Sequence, residues 1–241
     1  MQTWSSLNQG QQKALLSRPA MADNNALSNT VAEIIQLVAD NGDNALRELT
    51  ARFDGVELGE LSLATSELAN AQHDISEEVK AAIDMAYANI HAFHSAQKPT
   101  DVKVETAPGV VCELRHAPLA SVGLYIPGGS APLISTVLML GVTAKVAGCP
   151  RKVLCTPPNK QGGIPAEVGG AQAIAALALG TDTIAKVDKI FGPGNSFVTE
   201  AKQQVSRIPA GPAIDMPAGP SEVLVIADAQ ANPVFVASDL L

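Results

Sequence analysis

Aromatic residues are scarce: Phe, Tyr and Trp together make up 3% of the 241 residues. A core built from this chain must therefore be aliphatic, as parallel sheets covered by helices tend to be. Cysteine is almost as sparse, with Cys112, Cys149 and Cys155 and no CxxC pair. That count fits reduced thiols and argues against a disulfide framework. Each cysteine reads as a small buried apolar residue, because no histidine lies in a partnering motif that would make one a nucleophile. There is no Lys/Arg run, and the formal net charge is -8, which argues against nucleic acid or anionic membrane as the main partner. No apolar stretch approaches the roughly 18 residues of a membrane span. The first residues, MQTWSSLNQGQQK, lack the basic start and apolar block of a signal peptide, so the cytoplasm is the default location. Histidine is rare too: His73, His91, His94 and His116, with none beyond. His91 and His94 could share a helix face, but no carboxylate or cysteine is placed to complete a metal set. The loop-rich second half has no histidine base of its own.

What the chain does have is punctuation, in a length that suffices for one large domain or two small ones. Residues 1–30 read as a polar, irregular arm. At Thr30 a capping-box pattern begins, with Glu33 three positions on, and Val31, Ile34, Ile35 and Val38 follow at helical spacing. Asn41-Gly42 stops that helix, and Asp43 can cap the next, with Leu46, Leu49 and Phe53 as its apolar positions. Ser76 starts a longer helix whose Val79, Ile83, Ala86, Ile90 and Phe93 are expected to face inward, and Pro99 ends it. Pro108-Gly109 between valine pairs predicts a β-hairpin. Residues 31–120 are thus mainly helical with one hairpin.

From Ser121 the grammar becomes strand, glycine turn, helix. Strands are expected at Ser121–Ile126, Lys152–Cys155, Asp188–Phe191 and Glu222–Ala227. Helices are expected at Ser135–Ala147, Gln172–Leu179 and Ser196–Val205, with a last one capped by Asn232 and opened by Pro233. The fold class is α/β: a helical N-terminal region followed by a Rossmann-like, mostly parallel sheet unit over 121–220. Residues 221–241 read as the start of a second α/β domain. The final helix has run only about three turns when it meets two uncapped leucines, from which further protein after Leu241 is expected. Between Cys155 and Gln172 the text TPPNKQGGIPAEVGGA is too short for both a helix and a strand, although parallel strands need a crossover of a dozen or more residues.

Chemistry is expected where strands run into glycine. Gly128-Gly129 precedes one helix, and Gly192-Pro193-Gly194-Asn195 precedes another. A glycine there lets backbone approach a ligand, and the helix start offers free N–H groups to an anion or pyrophosphate. Neither loop is GxGxxG, and each alone is as readily a plain turn. Two in one unit point to a nucleotide-sized ligand. Tyr125, beside the first loop, can pack on a ring and donate a hydrogen bond, or be an ordinary half-buried aromatic. Gln172 and Asn195 open helices, where an amide reads a ligand or simply caps. Ser221 is no nucleophile elbow, since GPSEV lacks the second glycine of GxSxG. It reads as a turn serine or a substrate contact.

Four stretches carry a family resemblance over nearly the whole chain: Gly42–Asp54, Ser121–Leu140, Val168–Thr181 and Lys186–Asp228. The IDMPAGPSE motif at Ile214–Glu222 is the most specific. Together they resemble the amino-terminal part of histidinol dehydrogenase. The resemblance implies a zinc-dependent, cytoplasmic homodimer that oxidises L-histidinol to L-histidine through L-histidinal, with two hydride transfers to NAD⁺. It implies NAD contacts at Tyr125, Gln172 and Asn195, and a substrate contact at Ser221. In the family, the glutamine and histidine zinc ligands and a Glu-His acid/base pair lie beyond the position of Leu241. No catalytic or metal-ligating residue is therefore assigned within this chain. The family also carries a helix and strand where this chain passes from Glu167 to Val168, so the sheet is expected to repack or lose a strand. The chain alone is expected to be inactive. Alternatives are a non-catalytic NAD-binding or dimerisation fragment, or a related zinc-dependent dehydrogenase for another small alcohol.

Overall fold

The computed structural model describes residues 3–16, 25–63, 65–71, 75–128, 133–158, 168–216, 223 and 225–240. Five helices come first: α1 (Gln9–Leu16), α2 (Asn25–Asn41), α3 (Asp43–Asp54), α4 (Thr65–Ala71) and α5 (Glu77–Ala96). The stretch read as an irregular arm is therefore partly helical. Its start is fixed by a reciprocal cap in which Gln11 N donates to Asn8 Oδ1 at 2.9 Å and Asn8 N donates to Gln11 Oε1 at 3.0 Å. Thr30 caps nothing. It sits inside α2 with its hydroxyl on Ala26 O at 2.9 Å. Nor does Asp43 cap α3, where Gly42 holds the N-cap position. Asp43 instead accepts from Thr183, across the molecule.

The hairpin pairs β1 (Val102–Ala107) with β2 (Val110–Leu114), antiparallel, around the expected Pro108-Gly109 turn. A four-stranded parallel sheet follows, ordered β4 (Arg151–Cys155), β3 (Ser121–Tyr125), β5 (Lys189–Phe191), β6 (Ala213–Ile214). Helices α6 (Ile134–Ala147), α7 (Gly170–Leu179) and α8 (Ser196–Val205) connect them, and α9 (Pro233–Leu240) is last. The order reverses between β3 and β5, as in doubly wound folds, where ligands sit at the carboxyl ends of the strands beside the reversal.

Alternation along β3 decides what packs on each face. Val122 and Leu124 point to one side with Ala144 and Cys149, against which Leu140 of α6 and Phe191 pack. Tyr125 points to the other, in a larger core with α2, α3, α7 and α8. On that side Gly123 is closely packed, since a Cβ there would lie 3.0 Å from the Leu177 side chain. The sequence GAQAIAALAL of α7 is apolar all round, and Ala171–Ala178 are all buried, as a helix enclosed by neighbours on every side should be.

Two expectations fail by the same physics. Val79 and Phe93 of α5 are 45% and 64% exposed, and no residue of that helix is buried. A helical apolar stripe needs a partner surface, and among the described residues the main partner of α5 is α6 alone. The strand expected at Glu222–Ala227 is absent among its described residues, 223 and 225–227. Its Ile226 is 91% exposed, and among the described residues no strand pairs with it.

Candidate functional site

Loops leave the carboxyl ends of β3, β5 and β6 side by side. The second glycine loop is tightly built. Gly192 has φ +129°, and a Cβ there would stand 2.0 Å from Tyr125 O, so only glycine fits. The loop after β5 thereby touches the end of β3.

A ring of hydrogen bonds closes around the same residue. Gly192 N donates to Asp215 Oδ2 at 2.8 Å, and Gly192 O accepts from Lys202 Nζ at 2.8 Å. Lys202 and Asp215 are themselves joined as an ion pair. Lys202 is only 5% exposed, a burial that an ammonium tolerates when paired and hydrogen-bonded. A cavity of about 280 Å³ opens here, lined by Gly192, Pro193, Gly194, Thr199, Lys202, Asp215 and Met216. Lys202 and Asp215 were not singled out as site residues from the sequence. A signal existed: Lys202 falls on the inward stripe Val198, Ala201, Lys202, Val205 of α8, a charge at a core position of the helical period.

Tyr125 ends β3 and is 3% exposed. Its hydroxyl accepts from Gly170 N at 3.1 Å, satisfying a free N–H at the start of α7. Burial pushes its phenol above the ordinary value of 10, the Gly170 N–H pulls it down, and the nearby Asp54 and Cys155 charges push it up. Gln172 lies in the first turn of α7, 2% exposed, with its Oε1 2.7 Å from where a Cβ on Gly170 would sit. Gly170 thus brings Tyr125 and Gln172 together. Asn195 lies elsewhere, at the end of the second loop, where its Oδ1 caps α8 by accepting from Val198 N at 3.1 Å. Tyr125 touches that loop through its carbonyl, but neither Tyr125, Gln172 nor Asn195 lines the cavity. Ser221 and Gly129 lie outside the described residues.

Cys149 and Cys155 are buried, as expected of small apolar residues, whereas Cys112 is exposed on the hairpin. Burial pushes the Cys155 thiol up to about 12, which leaves it inert as a nucleophile. His94 Nδ1 lies 2.9 Å from Gln97 Oε1, and His91 stacks on Tyr87.

Comparison with known proteins agrees along most of the chain. The family model described as "Histidinol dehydrogenase" matches residues 17–241. A histidinol dehydrogenase of Vibrio parahaemolyticus is 55% identical over 249 residues, covering 99% of this chain and 58% of its own length. One from Shigella sonnei is 54% identical, with 99% and 57% covered. The crystal structure of histidinol dehydrogenase from Elizabethkingia anophelis superposes with a TM-score of 0.85 at 44% identity, covering 97% of this chain and 57% of that one. The chain thus spans a little over half the length of these relatives. The Vibrio alignment, at 249 positions, is longer than the 241 residues of the chain, so within the aligned region that relative carries residues this chain does not.

Proposed function

The chain belongs to the histidinol dehydrogenase family, and from that premise we propose that it is the NAD-binding part of an enzyme that oxidises L-histidinol to L-histidine through L-histidinal. What carries the reading is the family match over residues 17–241, together with a glycine loop at the reversal of a doubly wound sheet, built so closely that Gly192 admits no side chain. Such a site receives a nucleotide with backbone N–H groups and a helix start. Asn195, exposed at the start of α8, is proposed as a direct contact of the cofactor. Tyr125 and Gln172, which meet at Gly170, are proposed as the other two cofactor contacts. NAD⁺, when bound, supplies the hydride acceptor for each oxidation.

Zinc does not fit the described residues: among them no group of three His, Cys, Asp or Glu side chains could hold a metal ion. No step is therefore assigned to it among the described residues. Ser221 is the proposed contact for the substrate. The cytoplasm is the proposed location, and no helix among the described residues is long and apolar enough to cross a membrane. We propose a homodimer as the assembly. Its support is the hairpin, whose Val102, Val104, Cys112 and Leu114 share one face by register, all of them exposed.

Titration calorimetry with NAD⁺ tests the cofactor reading. Saturable heat from the wild-type chain, weakened about tenfold in Asn195→Gly, is expected. That variant is chosen because glycine keeps most of the cap's stability. No heat from the folded wild-type chain would overturn the reading.

A further inference from the structure

We infer that Lys202 and Asp215 are positioning residues that hold the Gly192–Asn195 loop in its ligand-receiving shape. The loop cannot hold itself. Gly192 occupies φ +129°, a region that glycine tolerates but has no strong preference for. Both polar atoms of its backbone are gripped instead, the N–H by Asp215 Oδ2 and the carbonyl by Lys202 Nζ, each at 2.8 Å. The two side chains come from different elements, Lys202 from α8 and Asp215 from the residue after β6, and are bonded to each other. The ring therefore fixes three elements at once: the end of β5, the helix that the loop feeds, and the end of β6.

The chemistry favours this role over simple stabilisation. An ion pair at 6% and 27% side-chain exposure recovers little more than its desolvation cost, so a hydrophobic pair would hold the fold as well. A hydrophobic pair could not orient the Gly192 peptide. That peptide sets the direction in which Pro193, Gly194 and Asn195 leave the sheet, and Gly192 through Gly194 line the cavity. Asp215 also precedes Met216, another lining residue, so the same pair sets where the chain departs toward Ser221. The identity of the ligand rests on the NAD reading; the hold on the loop does not.

Amide hydrogen exchange of the 241-residue chain tests the inference, with Lys202→Met and the double variant Lys202→Met/Asp215→Leu. The double variant removes both charges and so leaves no lone buried ion to unfold the protein. Gly192 N–H is expected to exchange at least about tenfold faster in both, while Ile126 and Gly180, whose amides bond Cys155 O and Ala176 O at 2.8 Å, keep their protection. Equal protection of Gly192 in the double variant, or a uniform rise at all three amides, overturns the inference. In parallel, NAD⁺ should bind the double variant about tenfold more weakly than wild type. Equal affinity also overturns it. If the wild-type chain gives no NAD⁺ heat, the cofactor reading falls, and the exchange data alone decide the positioning role.

Discussion

Gly192 shows how much of the site depends on single atoms. Replacement by alanine places a methyl 2.0 Å from Tyr125 O in a backbone region that L residues avoid, and should cost about 3 kcal/mol or more in urea unfolding. Tyr125→Phe should cost about 1 kcal/mol by the same measurement, because one buried N–H at the start of α7 loses its acceptor. These two residues also mark what a sequence can convey. That Tyr125 ends a strand beside a glycine turn was legible. That its hydroxyl bonds the residue 45 positions on was not, because a hydrogen bond between elements leaves no local pattern. Lys202 was legible only as a charge on an inward stripe; its partner Asp215 comes from another element, which helical periodicity cannot name.

At the scale of elements, helix α3 is tied to the turn after α7 by Asp43, whose Oδ2 accepts from Thr183 Oγ1 at 2.5 Å. Burial pushes the Asp43 carboxyl up, but hydrogen bonds from Thr181 and Thr183 and the nearby Arg47 outweigh it, and the net direction is down from 3.8. A carboxyl held lower in the folded state contributes stability above its unfolded pKa and loses it as pH falls through the folded one. Asp43→Asn should therefore lower the urea midpoint at pH 6, with the gap narrowing as pH falls below 3.8. The sheet order β4-β3-β5-β6 is continuous among the described strands, and the expected shortage between Cys155 and Gln172 falls largely on residues 159–167, outside the described residues. Strands and helices between residues 121 and 205 were legible within a residue or two, since each has its own period and punctuation. The inward face of α5 was misread, because periodicity reports an apolar stripe without reporting what covers it.

At the scale of the molecule, the uncovered face of the hairpin and the reaction itself give two expectations. Sedimentation should show a dimer that Val104→Asp weakens, since Val104 is 49% exposed in the middle of that face. Purified chain mixed with L-histidinol and NAD⁺ should form no NADH, with or without zinc, because the half that carries the glycine loops has no histidine to act as base; sustained absorbance growth at the NADH band would refute this. The amino-acid order by itself determined the α/β class, the helical first part, the glycine loops and the family, because periodicity, turn residues and motifs are all local. Only the tertiary structure decided which strands neighbour each other, that Tyr125 closes on Gly170, and that Lys202 and Asp215 meet around Gly192. Those facts depend on contacts between residues distant in the chain, which no local pattern of residues records.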